Sequence, residues 1–334
     1  MPVSTDSMKV EVDLSRYIPD ERRLQVIRLW EVMNEAAIGY VKANKYTAIS
    51  GMPHIASASA ACEDFNSVFK LDACEYFGRS AFLCQSNQLL LEPFTKHFNR
   101  VWTYIHSFRK ELVADNRRLA EFPLFEIEIL GGFEDLLVEL EGLLKAICTA
   151  AVDSGLLEYF GRDVEAVRNI ELARLSYSDA IPLLQEAGFP IEWGDDLGAE
   201  HEAFCADKYG PLFLHSYPTP VKFFQMELYE DNPGIVKSAD IVLPFSGEST
   251  GAAERDTDAA RVRERLYESS MYKKLLSQGA QPEDFEWYLQ MLEAEHFPQH
   301  SGAGIGMARV AQFLMGSNDI RECVPFLTNC ENLL

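Results

Sequence analysis

Apolar side chains recur at helical spacing near the start of the chain. Between residues 20 and 43 the apolar positions are Val26, Leu29, Trp30, Met33, Ala37 and Tyr40. Apolar residues three and four positions apart share one face of a helix, so this segment is predicted to be one long amphipathic helix. The same criterion predicts helices over about 134–151, 257–276 and 282–296, and a last helix that starts near Gly306.

Short alternating or continuous apolar segments lie between these helices. The predicted strands are YTAISGMPHI (46–55, entering a turn at Pro53), SVFKL (67–71), SAFLCQ (80–85), RVWTYIHSF (100–108), FPLFEIEIL (122–130), PLFLHSY (211–217), PVKFFQMEL (220–228), SADIVLP (238–244) and GESTGAAER (247–255). In 122–130, Phe122, Leu124 and Glu126 share one face of the strand. Strands that look antiparallel and are flanked by helices predict an α+β fold rather than a doubly wound parallel sheet.

Composition narrows the class of protein. The 334 residues are 47% hydrophobic and 25% charged, which is typical of a globular chain. No apolar run is long enough to span a membrane, and the start lacks the apolar centre of a signal peptide, so we expect a cytoplasmic protein. The seven cysteines form no CxxC pair, which disfavours a structural zinc site. The formal net charge of −22 argues against a nucleic-acid-coating protein, although a local basic pocket remains compatible with it.

The first chemically suggestive stretch is HSFRKELVADNRRLAEFPLFEIEIL (106–130). A charge inside an apolar strand pattern costs free energy unless it finds a partner. Two strands joined by a polar loop would direct Arg109 and Glu111 across a sheet surface, and the planar fork of Arg suits phosphate or carboxylate. The alternative is a hairpin with cross-strand ion pairs.

Two later stretches complete the set. In SADIVLPFSGESTGAAERD (238–256), Asp240 and Glu248 fall at neighbouring strand ends, where two carboxylates suit Mg²⁺ against a nucleotide. The alternative is a pair of solvated carboxylates. In QHSGAGIGMARVAQFLMG (299–316), alternate glycines precede a helix that carries Arg309. Glycine permits close approach of a ligand and a helix start favours anions, whereas the alternative is tight packing of strand against helix.

The order of these stretches resembles a known family. FRKE with RRLAEF resembles motif 2 of the class II aminoacyl-tRNA synthetases, GAGIGMAR resembles motif 3, and KYTAISGMPHI resembles the dimer-forming motif 1. The segments FLCQSNQLLLEPF, NRVWTYIHSFRKE, IEWGDDLGAEHE, GESTGAAERD and NDIRECVPF are similar to the catalytic core of asparaginyl- and aspartyl-tRNA synthetases. The resemblance runs from about Arg16 to Phe326 and implies an antiparallel sheet flanked by helices.

The resemblance also implies roles for single residues. It implies ATP and Mg²⁺ as cofactors, Arg109, Glu248 and Arg309 as catalytic residues, and Asp240 and Glu248 as metal ligands. Arg109 would hold the α-phosphate, Glu111 the adenine amino group and Arg309 the γ-phosphate; the ATP site further comprises Arg117, Arg118 (where the family usually has His), Leu119, Phe122 (stacked on adenine), Glu248 and Gly306. The amino-acid site comprises Glu63, Gln88 and Glu126 around the ammonium, Arg255 at the side-chain end, and Ser86, Leu91 and Glu92.

Some positions depart from the family pattern. Ala308 stands where the family has Glu, Ala253 where it has Ser, and Glu227 near an expected Arg. Aspartyl enzymes have a Lys where this chain has Leu91, followed by Glu92 as in asparaginyl enzymes, which favours an amide-tolerant pocket. We expect an N-terminal arm over residues 1–18, one catalytic domain over 19–334, and no anticodon-binding OB domain, since none fits before Arg16.

Three functions compete on this basis. The leading prediction is an asparagine synthetase-like ligase that adenylates aspartate and lets ammonia or a small amine attack. The alternative is an asparaginyl-tRNA synthetase-like paralogue that adenylates asparagine or an analogue and transfers it to tRNA, protein or a biosynthetic acceptor. The third is a catalytically silent regulatory subunit, against which the retained Arg109, Glu111, Arg255 and Arg309 argue. The resemblance implies a homodimer, while the acidic charge disfavours a stable tRNA complex.

Overall fold

The computed structural model describes residues 14, 17–58, 67–294 and 297–333. Most of the predicted N-terminal arm, and the site candidate Glu63, lie outside these residues. The helices are α1 Glu21–Ala43, α2 Cys74–Phe77, α3 Gln88–Leu91, α4 Thr95–Phe98, α5 Phe133–Asp153, α6 Leu156–Tyr159, α7 Val164–Arg168, α8 Tyr177–Glu186, α9 Ala199–Tyr209, α10 Ala259–Glu268, α11 Ser270–Ser277, α12 Glu283–Ala294 and α13 Met307–Met315. Across the described ranges, no helix combines the length and apolar character that a membrane span requires.

Within the described residues, eight strands form the main sheet and three short strands form a second sheet. The strands are β1 Thr47–Ala48, β2 Ile55–Ala56, β3 Lys70–Leu71, β4 Ala81–Leu83, β5 Arg100–Phe108, β6 Glu121–Leu130, β7 Ala173–Ser176, β8 Leu212–His215, β9 Ser238–Leu243, β10 Gly247–Glu254 and β11 His300–Gly306. The main sheet has the order β1-β5-β6-β11-β10-β9-β8-β7 and the small sheet β2-β4-β3. The pairs from β5 to β8 are antiparallel, and only the outermost pairs, β1 with β5 and β7 with β8, are parallel. The predicted α+β fold is confirmed.

The two faces of the central strands have different chemistry. On β6, Phe125, Ile127 and Ile129 are buried in the main hydrophobic core, together with apolar residues of α1, α5 and α13. The intervening Glu126 and Glu128 point to the opposite face, because side chains alternate along a strand. The covered face therefore supplies most of the hydrophobic stabilisation, and the other face is left to build a polar site.

The first helix is fixed at both ends. The Asp20 side chain accepts a hydrogen bond from the Arg23 amide at 2.8 Å, which caps the first turn. Near its other end, the hydroxyl of Tyr40 donates to Glu139 of α5 at 3.2 Å. Since α1 also buries Leu29, Met33 and related residues against α5, the long amphipathic helix predicted from sequence is confirmed.

Several predicted elements differ from the structure. The predicted strand 220–228 is wrong: this segment contains a 3-10 turn at Thr219–Val221 and then two isolated bridges, from Met226 and Leu228. Prolines 218 and 220 remove two backbone donors and stop continuous pairing here. The predicted helix 257–276 is divided by Ser269, whose extended backbone ends α10 and whose side chain caps α11. Strands β7 and β11 and the helices α2–α4 and α6–α9 were not predicted.

Gly302 leaves space for a buried carboxylate on the polar face of the sheet. Gly302 of β11 lies directly opposite Glu128 of β6, and a Cβ at this position would overlap the Glu128 carboxylate. Glu128 is fully buried and belongs to β6, which is paired on both sides and therefore unable to move away. The side chain of Glu128 fits only because residue 302 has none.

We expect Gly302→Ala to destabilise the fold by about 3 kcal/mol or more, because it displaces one member of a buried ion pair. Gly39→Ala is the matched control: residue 39 is an exposed α1 glycine with nothing within 4 Å of an added Cβ, and it should gain roughly 0.5–1 kcal/mol from helix propensity. Urea unfolding of the three proteins measures both changes. Equal stability of Gly302→Ala and the unmodified chain would contradict the packing described.

Candidate active site

A cavity of ≈ 470 Å³, lined by residues that the structure describes, opens on the polar face of the main sheet. Its lining includes all nine residues predicted to bind ATP, namely Arg109, Glu111, Arg117, Arg118, Leu119, Phe122, Glu248, Gly306 and Arg309. It also includes Ser86, Gln88, Asp240 and Arg255. These residues come from five separate segments of the chain, so the fold brings the sequence candidates together in one place.

A buried ion-pair cluster closes one end of this cavity. Arg255 follows β10 and is 2% exposed; its Nε and Nη2 donate to Glu128 Oε1 at 3.2 and 2.5 Å. Nη2 also donates to Gln88 Oε1 at 2.9 Å, and Nε lies 3.6 Å from Glu92 Oε1. Burial opposes the guanidinium charge, but Glu128 and Glu92 raise the pKa of Arg255 above its ordinary value. Below, Gln88, Glu92, Glu128 and Arg255 are called the Arg255 cluster.

Neighbouring side chains contact the carboxylates of the Arg255 cluster. Glu92 Oε2 accepts from the Tyr288 hydroxyl at 2.7 Å and lies 3.3 Å from His300 Nε2. Burial raises the pKa of Glu128 to about 7, and Arg255 opposes that shift. These acceptors fix the orientation of the Arg255 guanidinium, and the residue forms part of the cavity wall.

A second buried carboxylate lies beside the cluster. Glu126 accepts a short hydrogen bond from the Ser86 hydroxyl and one from the Asn87 amide at 3.2 Å. Complete burial raises its pKa to about 7, although both hydrogen bonds favour the charged form. Glu126, Glu92 and Leu91 do not line the cavity: they form the layer directly behind it.

Cationic side chains gather at the other end of the cavity. The Arg109 guanidinium lies 5.5 Å from the centre of the Phe122 ring. Arg117 Nη2 donates to Glu202 Oε2 at 3.0 Å, and Arg309 Nη1 donates to the backbone oxygen of Glu248. Arginines that are held in place beside an exposed aromatic face provide a binding site for a phosphorylated purine.

The pair Asp240 and Glu248 lies in front of these arginines. A bulge between Glu248 and Thr250 shifts the register of β10 against β9, so that Glu248, Gly251 and Asp240 share one face. A Cβ added to Gly251 would lie 3.7 Å from Glu248 Oε1 and 3.8 Å from Asp240 Oδ1. The two carboxylates thus converge on the space above a glycine.

Nearby cations favour the ionised form of Glu248. Burial acts to raise the pKa of Glu248, but the net shift is downward because of the nearby cations Lys222, Arg309, Arg109 and Arg117. Lys222 Nζ donates to Asp240 Oδ2 at 2.8 Å. Among the described residues no third His, Cys, Asp or Glu completes a protein metal cage. Two carboxylate oxygens with substrate phosphates and water suit Mg²⁺, which rarely uses an all-protein cage.

The polar loop after β5 is held at the cavity rim. Arg118 lies 3.5 Å from Glu111 Oε2 and also pairs with Asp115. These ion pairs lie within the loop between β5 and β6 rather than across the strands, as the hairpin alternative had it, and both charged side chains line the cavity.

Four functional candidates were missed from the sequence: Asp196, Glu202, Lys222 and Gln225. Asp196, Lys222 and Gln225 line the cavity, and Glu202 Oε2 accepts from the Glu248 amide at 3.0 Å. Lys222 and Gln225 fall in the segment 220–228, which was predicted only as a strand and to which no chemical role was assigned. The segment IEWGDDLGAEHE, which contains Asp196 and Glu202, was part of the family resemblance but carried no assigned role.

Comparisons with known proteins agree with this geometry. A family model described as tRNA synthetases class II (D, K and N) matches residues 15–329. The asparagine–tRNA ligase of Desulforamulus reducens is 32% identical over 312 residues, which cover 91% of this chain and 69% of that protein. The enzyme of the same name from Pelotomaculum thermopropionicum is 34% identical over 274 residues, covering 80% and 60%. Other curated relatives are covered to between 56% and 61% of their length.

Solved structures give the same result. Asparaginyl-tRNA synthetase from Pyrococcus horikoshii complexed with asparaginyl-adenylate superposes with a TM-score of 0.84 at 28% identity, over 93% of this chain and 70% of that one. A putative aspartyl-tRNA synthetase from Leishmania major has a TM-score of 0.76 at 19% identity and shows the shared fold alone. The chain therefore belongs to the class II tRNA synthetase family of the D, K and N enzymes, a family of ATP-dependent ligases.

Proposed function

We propose that this chain activates asparagine with ATP as asparaginyl-adenylate and transfers the asparaginyl group to a tRNA. One observation carries the proposal: the ATP candidates and the Arg255 cluster lie in the same cavity. Its cationic end, with an aromatic face, suits ATP, and the end at the Arg255 cluster suits a short polar side chain. The P. horikoshii structure, which superposes over 93% of the chain, holds asparaginyl-adenylate.

The comparisons favour this function over the asparagine synthetase-like ligase that was the leading prediction from sequence. The curated relatives named above are asparagine–tRNA ligases. The charge balance of the Arg255 cluster supports the same choice, because one arginine already faces Glu92 and Glu128. A buried aspartate side chain would add another negative charge there, whereas the neutral amide of asparagine adds none.

Adenylate formation requires a carboxylate oxygen of asparagine to attack the α-phosphorus while pyrophosphate leaves. Arg109 is proposed to hold the α-phosphate, Arg309 and Arg117 the outer phosphates, and Phe122 to stack on the adenine. An anion attacks a phosphate anion in this step, so fixed cations lower the barrier by neutralising the developing charge. In the second step a ribose hydroxyl of the acceptor would attack the activated carbonyl, and AMP would leave.

Mg²⁺ fits the space between Asp240 and Glu248. Both carboxylates converge above Gly251, and the cations around Glu248 keep it ionised. When bound, the ion would neutralise phosphate charge. Lys222 Nζ donates a hydrogen bond to Asp240 Oδ2 and neutralises the charge of that carboxylate.

Residues in and behind the cavity wall would complete the amino-acid end. Glu126 and Gln88 are proposed to attract the substrate ammonium, and Arg255 to donate to the side-chain oxygen; Glu63, which lies outside the described residues, is kept in the proposed ammonium site from the family resemblance alone. Ser86 fixes Glu126, while Leu91 and Glu92 form the apolar and anionic backing of the pocket. Glu111, Arg118, Leu119 and Gly306 are proposed to surround the adenosine.

We also propose a homodimer formed through α1 and the adjacent sheet edge. Leu24 and Ile27 of α1 and Tyr104 of β5 are large apolar side chains that stay about 37–38% exposed in the single chain. A second copy of the chain would cover such a surface, and a two-fold axis would pair each patch with itself.

The metal proposal predicts opposite effects of Glu248→Gln on two measurements. ATP–pyrophosphate exchange with Mg²⁺ should fall about 100-fold or more, the usual loss when one electrostatic contact to the transition state is removed. Binding of ATP in the presence of EDTA should stay equal or become tighter, because one negative charge has left the phosphate end. Glu286→Gln, a change in a carboxylate far from the cavity that pairs with Arg263, is the control and should alter neither. Full exchange activity in Glu248→Gln would refute the metal assignment.

The substrate proposal is tested with a panel of amino acids in the same exchange assay. Asparagine should give the highest kcat/KM, and Arg255→Lys should lower it about 100-fold, since Lys lacks the planar fork that both contacts substrate and anchors on Glu128. Arg263→Lys, at a partly buried ion pair outside the cavity lining, is the matched control. Labelled asparagine should then appear on tRNA. If aspartate is activated instead and AMP release rises with ammonium but not with tRNA, the asparagine synthetase-like function replaces this one.

A further inference from the structure

Gln225 is a buried side chain whose polar end has no role in the fold. It is 1% exposed, and its Oε1 accepts no hydrogen bond within the described part of the chain. Yet the residue lines the cavity together with Gln88 and Arg255. A buried amide oxygen without a partner is uncommon in a folded protein and calls for an explanation, which a bound ligand would supply.

The backbone places Gln225 at the closed end of the cavity. Its carbonyl oxygen accepts from the amide of Asp256 at 2.7 Å, and the next residue, Met226, forms an isolated bridge with Arg255. Gln225 is therefore held against the end of β10, next to Arg255. A ligand group that reaches Arg255 also comes within reach of Gln225.

The other polar groups at this end offer donors to the cavity. Arg255 has only N–H donors, and Gln88 has committed its amide oxygen to Arg255, which leaves its amide nitrogen as the remaining group. Gln225 Oε1 thus adds an acceptor to a set of donors. A carboxamide presents one oxygen acceptor and one N–H₂ donor, whereas an ionised carboxylate presents two acceptors.

We propose that Gln225 is a specificity-determining residue whose side-chain oxygen accepts a hydrogen bond from the side-chain NH₂ of the substrate, while Arg255 donates to the substrate's side-chain oxygen. The inference rests on the proposed function and deepens it by naming the atom that reads an amide. An aspartate side chain has no N–H to donate, so it would leave Gln225 Oε1 without a hydrogen bond and bring a negatively charged oxygen against it. A site built to bind an N–H group strongly rejects the analogue that lacks it.

Two substitutions separate the oxygen of Gln225 from its nitrogen. Gln225→Met keeps the length and removes both polar atoms; it should lower kcat/KM for asparagine about 10- to 100-fold, and the asparagine-to-aspartate ratio with it. Gln225→Glu keeps an acceptor and removes the donor. Assayed at pH 8.5, which favours the ionised carboxylate, it should retain asparagine activation within about 10-fold and exceed Gln225→Met. KM for ATP should stay unchanged in both.

Gln312→Met provides the matched control. Gln312 is also 1% exposed, but its amide nitrogen donates to the Phe245 carbonyl at 3.1 Å and it lies outside the cavity lining. This variant should lose stability without changing the asparagine-to-aspartate ratio. An unchanged ratio in Gln225→Met would overturn the proposal, and so would equal losses of asparagine activity in Gln225→Met and Gln225→Glu, since the nitrogen would then make the contact.

The unmodified chain, assayed with every amino acid, keeps this test distinct from the test of the proposed function. If it activates a different amino acid that carries a side-chain N–H or O–H donor, and Gln225→Met loses that preference over the matching acid, the inference stands although asparagine is not the substrate. If it prefers an acid, the inference fails together with the choice of an amide.

Discussion

The buried guanidinium of Arg255 is the constraint on which the rest of the site depends. A charge at 2% exposure is tolerated only with partners, and here they come from β6 and from the segment 88–92. Removing one partner of such a pair typically costs about 3–5 kcal/mol, so the elements that supply them are tied together. Gly302 belongs to the same constraint, because only a residue without a side chain leaves room for Glu128 between two neighbouring strands. The geometry of the cavity floor is thus fixed by electrostatics as well as by packing.

Much of this site could be predicted from the sequence, for a physical reason. Arg109, Glu126, Glu128, Glu248 and Arg255 are charges inside apolar strand patterns, and such charges need partners wherever the strands meet. Strand alternation then decides the face: Glu126 and Glu128 share one side of β6, and the glycines of β11 oppose them in register. The roles assigned through the family resemblance remain proposals, although nearly all of the described candidates line one cavity or the layer behind it.

The residues that the sequence did not reveal lie outside regular structure or far away along the chain. Lys222 and Gln225 occupy a segment whose apolar pattern is that of a strand, but prolines 218 and 220 prevent continuous pairing, and isolated bridges hold it instead. Glu202 reaches the site from α9, which packs beside β10. Local alternation contains no information on either contact, because both depend on how distant elements pack. The division of 257–276 at Ser269 was missed for a different reason: its signal is a capping side chain within an otherwise helical pattern.

The two ends of the cavity show why the net charge of −22 does not decide the choice of acceptor. Burial acts to raise the pKa of Glu248, but Lys222, Arg309, Arg109 and Arg117 lower it, so cations dominate around this carboxylate inside an acidic protein. At physiological salt, surface charges beyond roughly 8 Å are largely screened, and a phosphate that enters the cavity responds mainly to these arginines. The expectation that acidity disfavours a tRNA complex rests on the net charge of the whole chain, whereas binding in the cavity depends on the charges that line it. The net charge of the chain therefore describes the surface that a ligand approaches, whereas the cations around Glu248 determine the charge that an anionic ligand meets inside the cavity.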